Sequence, residues 1–151
     1  MKDASNLVHA TARLCQANVA QALAHLSTQA GMSRWVLGLW NCRELAPGLF
    51  QGESLFDGGT GFVRVRVRLG VELTDGTVDY GVGAQPDTLS WRIRASVVAG
   101  DALGHAPGSC LVTLQARRTG NMDDERWARL VHSHETEIEL IRAQLATAAP
   151  P

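Results

Sequence analysis

His134 is the one ionisable residue on an otherwise apolar helical stripe. Imidazole is the side chain whose ordinary pKa suits it to move protons near neutral pH. Turned toward an enclosed space, His134 can hydrogen-bond a carbonyl or act as general acid and base; at the edge of the stripe it is simply satisfied by a neighbour or water. Tyr80, the only tyrosine, offers a phenol that can orient a carbonyl, or a ring that packs in the core with its hydroxyl at the rim. These two are the catalytic candidates. His132 and His134 form an HxH pair, but residues two apart on a helix point in nearly opposite directions, and no further ligand cluster accompanies them, so no metal site is implied. Cys15, Cys42 and Cys110 are odd in number and lack CxxC spacing; they read as reduced thiols in a cytoplasmic protein, small buried side chains rather than a catalytic nucleophile. Glu135, Glu137 and Glu139 read as a solvated helix face. Gly81, Gly83 and Gly100 are too scattered for a phosphate loop, and no nucleophile–base–acid set emerges.

The elements that must position these residues follow from periodicity. Leu7 to Gln16 alternates, with Val8, Ala10, Ala12 and Leu14 on one face and His9, Thr11 and Arg13 on the other, which favours strand over alanine-rich helix. Asn18 and Gln21 have capping-box spacing, opening a short helix with Val19, Ala22, Leu23 and Leu26 on its face and Gly31 at its end. Ser33 then caps a second short helix carrying Trp35, Val36 and Leu39. Pro47-Gly48, Asp57-Gly58-Gly59, Asp75-Gly76 and Pro86-Asp87 punctuate strand-like runs at Leu49 to Phe56, Gly61 to Leu69, Thr77 to Val82 and Thr88 to Val98. In the last of these, Leu89, Trp91, Ile93, Ala95 and Val97 share one face, and Ser90, Arg92, Arg94 and Ser96 the other. Gly100 to Gly108 is a loop, and Ser109 to Arg117 is a further strand with Cys110, Val112, Leu114 and Ala116 on one face. Arg64, Arg66 and Arg68 alternate with Val63, Val65 and Val67, as expected of an exposed strand face; a phosphate-binding strip is the alternative.

The segment Met122 to Ala146 closes the chain as one amphipathic helix on the order of 37 Å long. Trp127, Leu130, Val131, His134, Ile138, Ile141 and Leu145 form its stripe. Asn121 is a candidate N-cap, Asp123, Asp124 and Glu125 suit the positive end of the helix dipole, and Glu125 and Arg129 are spaced to pair. The tail Thr147 to Pro151 should fray.

With 151 residues and 45% hydrophobic content, the chain suits a single domain, 1–151, with its core at about 7–146. A net charge of −1 without a dense basic patch argues against nucleic acid as a partner. Met1-Lys2-Asp3-Ala4-Ser5-Asn6 turns polar at once, unlike a signal peptide, and no apolar run approaches the roughly 20 residues of a membrane span.

The order of strand, two short helices, several antiparallel strands and a long last helix resembles the helix-grip fold. That α+β fold wraps a curved antiparallel sheet of six or seven strands around the C-terminal helix, with two short helices after the first strand. It is shared by START lipid-transfer domains, the birch pollen allergen family, bacterial polyketide cyclases and dehydrases, and coenzyme-Q-binding proteins, together the SRPBCC superfamily. The carrying pieces are Val8–Asn18 then Val19–Leu26, Trp35 or Trp40 where the second helix leads back to the sheet, Gly59-Thr60-Gly61 opening an alternating strand, and Gln85-Pro86-Asp87-Thr88-Leu89-Ser90-Trp91 turning into a long strand. One departure is the count: six strands are readable where many members have seven, with Val71 to Leu73 either continuing its predecessor or forming a short one.

The resemblance implies an apolar cavity between sheet and last helix. Val65, Val67, Val78, Tyr80, Trp91, Ile93 and Val112 are expected to line it from the sheet, and Trp127, Leu130, Val131, His134 and Ile138 from the helix. Frequent alanine and valine suit either a pocket or a tight core. The expected function is binding or transport of a small hydrophobic molecule, lipid-, polyketide- or quinone-like, without a cofactor. Two alternatives stand beside it: a cyclase- or dehydrase-like enzyme using His134 and Tyr80, and an interaction or co-chaperone-like module presenting Trp35, Trp40 and Phe50. A homodimer through a strand edge or the short helices stays open.

Overall fold

The computed structural model describes residues 7–57 and 62–148. Strand β1 (Val8–Cys15) leads into helices α1 (Val19–Ser27) and α2 (Gln29–Trp35). Six strands follow: β2 (Trp40–Ala46), β3 (Leu49–Asp57), β4 (Phe62–Thr74), β5 (Thr77–Gly83), β6 (Ser90–Ala99) and β7 (Cys110–Arg117), before helix α3 (Asp124–Ala148). All pairings are antiparallel, in the order β1-β7-β6-β5-β4-β3-β2. Short turns let each strand from β3 to β6 pair with its predecessor, and β7 brings the chain back beside β1. Part of the expected Asp57-Gly58-Gly59 turn, the Gly59-Thr60-Gly61 opening and both chain ends lie outside the described residues.

The Asn18–Gln21 capping box forms: Gln21 N–H donates to Asn18 Oδ1 at 2.8 Å and Asn18 N–H donates to Gln21 Oε1 at 2.9 Å. The break between the short helices falls earlier than Gly31, however. Thr28 ends α1 and caps α2, its Oγ1 accepting from Gly31 N–H at 3.1 Å; neither Gly31 nor Ser33 sets a boundary. Gly31 sits inside α2 because a Cβ there would lie 2.0 Å from the His25 carbonyl oxygen. At α3 the cap is Asp123 rather than Asn121, with Arg126 N–H donating to Asp123 Oδ1 at 2.7 Å.

The seventh strand is β2, not Val71 to Leu73, which continues β4. This edge strand is mostly exposed, shifts register twice against β3 and holds Asn41 at a φ of 51°, a left-handed conformation that asparagine tolerates. An edge strand with one face in water and two irregularities carries no alternation to read.

Strand β1 turns its polar face inward. Thr11 and Cys15 are buried while Val8 and Ala10 are exposed. The reason lies on α3: Thr11 Oγ1 donates to Glu135 Oε2 at 3.2 Å, His9 Nε2 lies 2.9 Å from Glu135 Oε1, and Arg13 Nε donates to Glu139 Oε1 at 2.5 Å. Glu135 and Glu139 thus fasten α3 along the β1 edge.

Apolar side chains gather in two clusters. The larger joins α1, α2 and the C-terminal half of α3 (Ile138, Ile141, Leu145) to the sheet through Phe50, Leu69, Val78, Tyr80, Ala95, Val112 and Leu114. The smaller holds Ala116, Met122 and Trp127, and Ile93 touches both. Among the described residues, no helix is long and apolar enough to cross a membrane.

Candidate functional site

A cavity of about 770 Å³ opens where the middle of α3 spans from the smaller cluster to the larger. That volume falls within the roughly 300–1,000 Å³ typical of small-molecule sites. Its walls are β3–β7, the N-terminal half of α3, and the α2–β2 connection at residues 36–39 with Trp35 and Trp40 at its ends. The apolar lining includes Trp35, Leu39, Val67, Leu69, Val82, Ile93 and Leu130.

The lining is not overwhelmingly apolar, contrary to the expectation from the strands. Arg92, Arg126, Arg129, Ser54, Ser133, His134 and Glu137 also face the cavity. Arg92 arrives through a β-bulge. Val78 pairs with Ala95 and Tyr80 with Ile93, but the next pair is Gly81 with Trp91, leaving Arg92 as an extra residue. An extra residue reverses the faces beyond it. Trp91, expected inward, is instead 42% exposed and lies over the outer face of the sheet, where its ring occupies the space that Cβ atoms at Gly70 and Gly81 would need. Arg92, expected outward, enters the cavity, and its Nε is buried without a hydrogen-bond partner.

Glu137 is also not on a solvated face. It is 5% exposed, and its Oε2 accepts from Leu37 N–H at 3.1 Å, which ties the α2–β2 connection to α3. Burial pushes its carboxyl up to about 7; an acid in so dry a place resists ionisation. One turn away, burial with help from His9 and Arg92 lowers His134 to about 4, so its ring is neutral at neutral pH. His134 Nδ1 is buried without a hydrogen-bond partner, while His132 points out to solvent. A neutral imidazole and a carboxyl that ionises near neutrality therefore share one wall, i,i+3 on α3.

Tyr80 faces the cavity with its ring, edge-on to Trp35 at 5.9 Å between centroids. Its hydroxyl is committed elsewhere, donating to the Leu26 carbonyl at 2.6 Å. The phenol therefore anchors the end of α1 to β5, and burial raises its pKa. Trp35 Nε1 donates to His25 O at 3.1 Å, and Gln144 links His25 Nε2 (2.7 Å) to Arg34 O (2.8 Å). These bonds hold α2, and so the start of the cavity wall, against α3.

Of the expected lining residues, Val67, Tyr80, Ile93, Leu130 and His134 line the cavity. Val78, Val112 and Ile138 are packed in the larger cluster, Trp127 is buried in the smaller one, and Val131 rests against it. Val65 is half-buried on the face it shares with Val67 and lies outside the cavity lining. Trp35 and Phe50 are buried and Trp40 is half-buried along the cavity wall, so these three make no exposed patch. Burial pushes the Cys15 thiol up to about 12 and also raises Cys42 and Cys110, which leaves none activated as a nucleophile.

No family model matches the sequence, and no curated protein matches it. Solved structures do match. A START superfamily protein from Mycobacterium smegmatis superposes with a TM-score of 0.69 at 12% identity, covering 95% of this chain and 99% of that one. The Aha1 dimer from Colwellia psychrerythraea gives a TM-score of 0.63 at 13% identity, covering 95% and 99%. A protein from Nitrosomonas europaea gives 0.61 at 13% identity, covering 99% and 100%. At such identities the likeness is one of fold: the chain has the helix-grip architecture of START-like structures.

Proposed function

We propose that this helix-grip chain binds a small, largely hydrophobic molecule in the cavity between its sheet and α3, as a carrier or sensor. The observation that carries the reading is the cavity itself, about 770 Å³ with a mainly apolar wall, framed by two packed clusters. A core built only for stability would close such a space, because interiors pack to crystal-like density. Affinity would come from apolar burial, worth roughly 25 cal/mol per Å², with the polar groups fixing orientation.

The test is saturable uptake of the neutral dye Nile red by the intact protein, paired with native mass spectrometry of protein purified without detergent. Uptake that Ile93→Trp blocks by filling the cavity supports the reading. Absence of uptake, or uptake that Ile93→Trp leaves unchanged, removes it.

A second reading, a cyclase- or dehydrase-like enzyme, is favoured by one observation: His134 and Glu137 converge on the same apolar space. A carboxyl that is partly protonated near neutrality can donate to a carbonyl or leaving hydroxyl, and a neutral imidazole can accept a proton. Tyr80 no longer belongs to that set, since its hydroxyl is spent on Leu26. Incubation with a poly-β-keto thioester tests it. Accelerated ring closure or water loss that both Glu137→Gln and His134→Asn abolish supports an enzyme, and product profiles identical to buffer oppose it.

A further inference from the structure

We infer that the cavity's ligand is an amphipathic anion, with its apolar body against Leu39, Val67, Leu69 and Val82 and its anionic oxygens on Arg92 and His134. The inference rests on the reading of the cavity as a ligand site and adds the chemical class that the site would select.

Arg92 carries the argument. The bulge in β6 turns its side chain into the cavity, beside the apolar Val82 and Ile93. Its Nε is buried and unpartnered, and it forms no ion pair among the described residues. A guanidinium keeps its proton under nearly all conditions, so burying its Nε–H in a half-buried side chain with no acceptor is costly. A fold gains nothing from that arrangement unless something supplies the missing acceptor. His134 faces the same space with a second buried, unpartnered nitrogen, Nδ1, on a side chain only 5% exposed. The two side chains stand close enough that, after burial and His9, the charge of Arg92 also disfavours protonation of His134. A neutral imidazole can donate from Nδ1, so both groups can serve one acceptor.

Two further arginines stand around the cavity. Arg126 lines it near enough to Arg92 that, besides burial, its charge lowers that residue's pKa. Arg129 stands at the same wall and also pairs with Glu125 at 3.1 Å. Two carboxylates face the space, and each already has a backbone donor: Asp123 caps α3 and Glu137 holds Leu37. Neither is bonded to Arg92. The net invitation is to a single anionic head, carboxylate or phosphate, both of which match the planar fork of arginine.

Competition against bound Nile red tests the inference. The competitors are dodecanoate, dodecyl phosphate and 1-dodecanol, each kept below its aggregation threshold. At least one anion should displace the dye at a concentration about tenfold or more below that of the alcohol, the scale expected for a charge-assisted hydrogen bond in a dry site. The better of the two anions identifies the head. Arg92→Gln should erase the advantage, so that the anions displace the dye no better than the alcohol does, and Arg92→Lys should keep part of it. Arg92→Gln should also unfold at a higher temperature than the wild type, because it removes a half-buried charge that has no counter-ion. Equal displacement by all three competitors, or an anion advantage that survives in Arg92→Gln, overturns the inference while dye uptake leaves the cavity reading standing. If neither the dye nor any competitor binds, with binding followed by calorimetry as well, both fall.

Discussion

Glu137 and His134 carry opposite protonation costs on one wall, and together they set how stability depends on pH. Burial raises the Glu137 carboxyl from 4.5 to about 7, and burial with nearby His9 and Arg92 lowers His134 from 6.5 to about 4. Each tenfold change in proton affinity is worth roughly 1.4 kcal/mol, so either shift corresponds to roughly 3 kcal/mol. The folded value of Glu137 lies above its unfolded one. Its contribution is therefore fully present below about pH 4.5 and lost as pH rises through about 7. For His134 the folded value lies below, so its contribution is present above about pH 6.5 and lost as pH falls toward about 4. Between those limits the two slopes nearly cancel in the wild type. Glu137→Gln should uncover the histidine slope: its stability relative to the wild type should climb by roughly 3 kcal/mol from about pH 4.5 to about pH 8. His134→Asn should do the reverse, gaining on the wild type as pH falls. Urea unfolding with linear extrapolation, repeated across that range, provides the free energies. The variant-minus-wild-type difference cancels the other titrating groups, including His25 and Glu139, whose pKa values are both lowered. A difference for Glu137→Gln that stays flat with pH would refute the reasoning, because it would mean that water reaches the carboxyl and leaves it an ordinary acid.

Three further outcomes are expected. Tyr80→Phe should cost about 1–3 kcal/mol in urea unfolding, since it strands the Leu26 carbonyl, yet leave Nile red uptake intact. Ile93→Asp should suppress dye uptake whereas Trp91→Asp should not, because the bulge puts only the first against the cavity; equal suppression by both would contradict the register. Asn18→Ala should cost about 1 kcal/mol through loss of the capping box, and Asn18→Gly only a few tenths, again by urea unfolding.

The residues differ in how plainly they announced their places. The stripe on α3, the alternation of β7 and the Asn18–Gln21 box were legible because each is a local pattern tied to one periodicity. β2 was hidden because an edge strand broken by two register shifts has no period. The bulge was worse than hidden. Leu89, Trp91, Ile93, Ala95 and Val97 alternate without interruption, and nothing in that run marks the extra residue at Arg92. The available signal lay on the neighbouring strands, where Gly70 and Gly81 clear a berth for a large ring on the outer face. Glu137 was misread because Glu135, Glu137 and Glu139 look alike in sequence. Their fates are set by partners far along the chain, the β1 side chains for the outer two and Leu37 for the middle one. For the same reason the polar face of β1 was not recognised as the inner one.

The bulge in β6 has a consequence for how such a cavity can change over generations. Alternation makes the identity of the side chain at one wall position depend on a count of residues rather than on the residue itself. Loss of one residue from the start of β6 would exchange the guanidinium for an indole inside the cavity, with no substitution at any lining position. A single codon's deletion could thereby convert a site that selects charge into one that selects bulk, and the glycines beneath Trp91 are what hold the count in place.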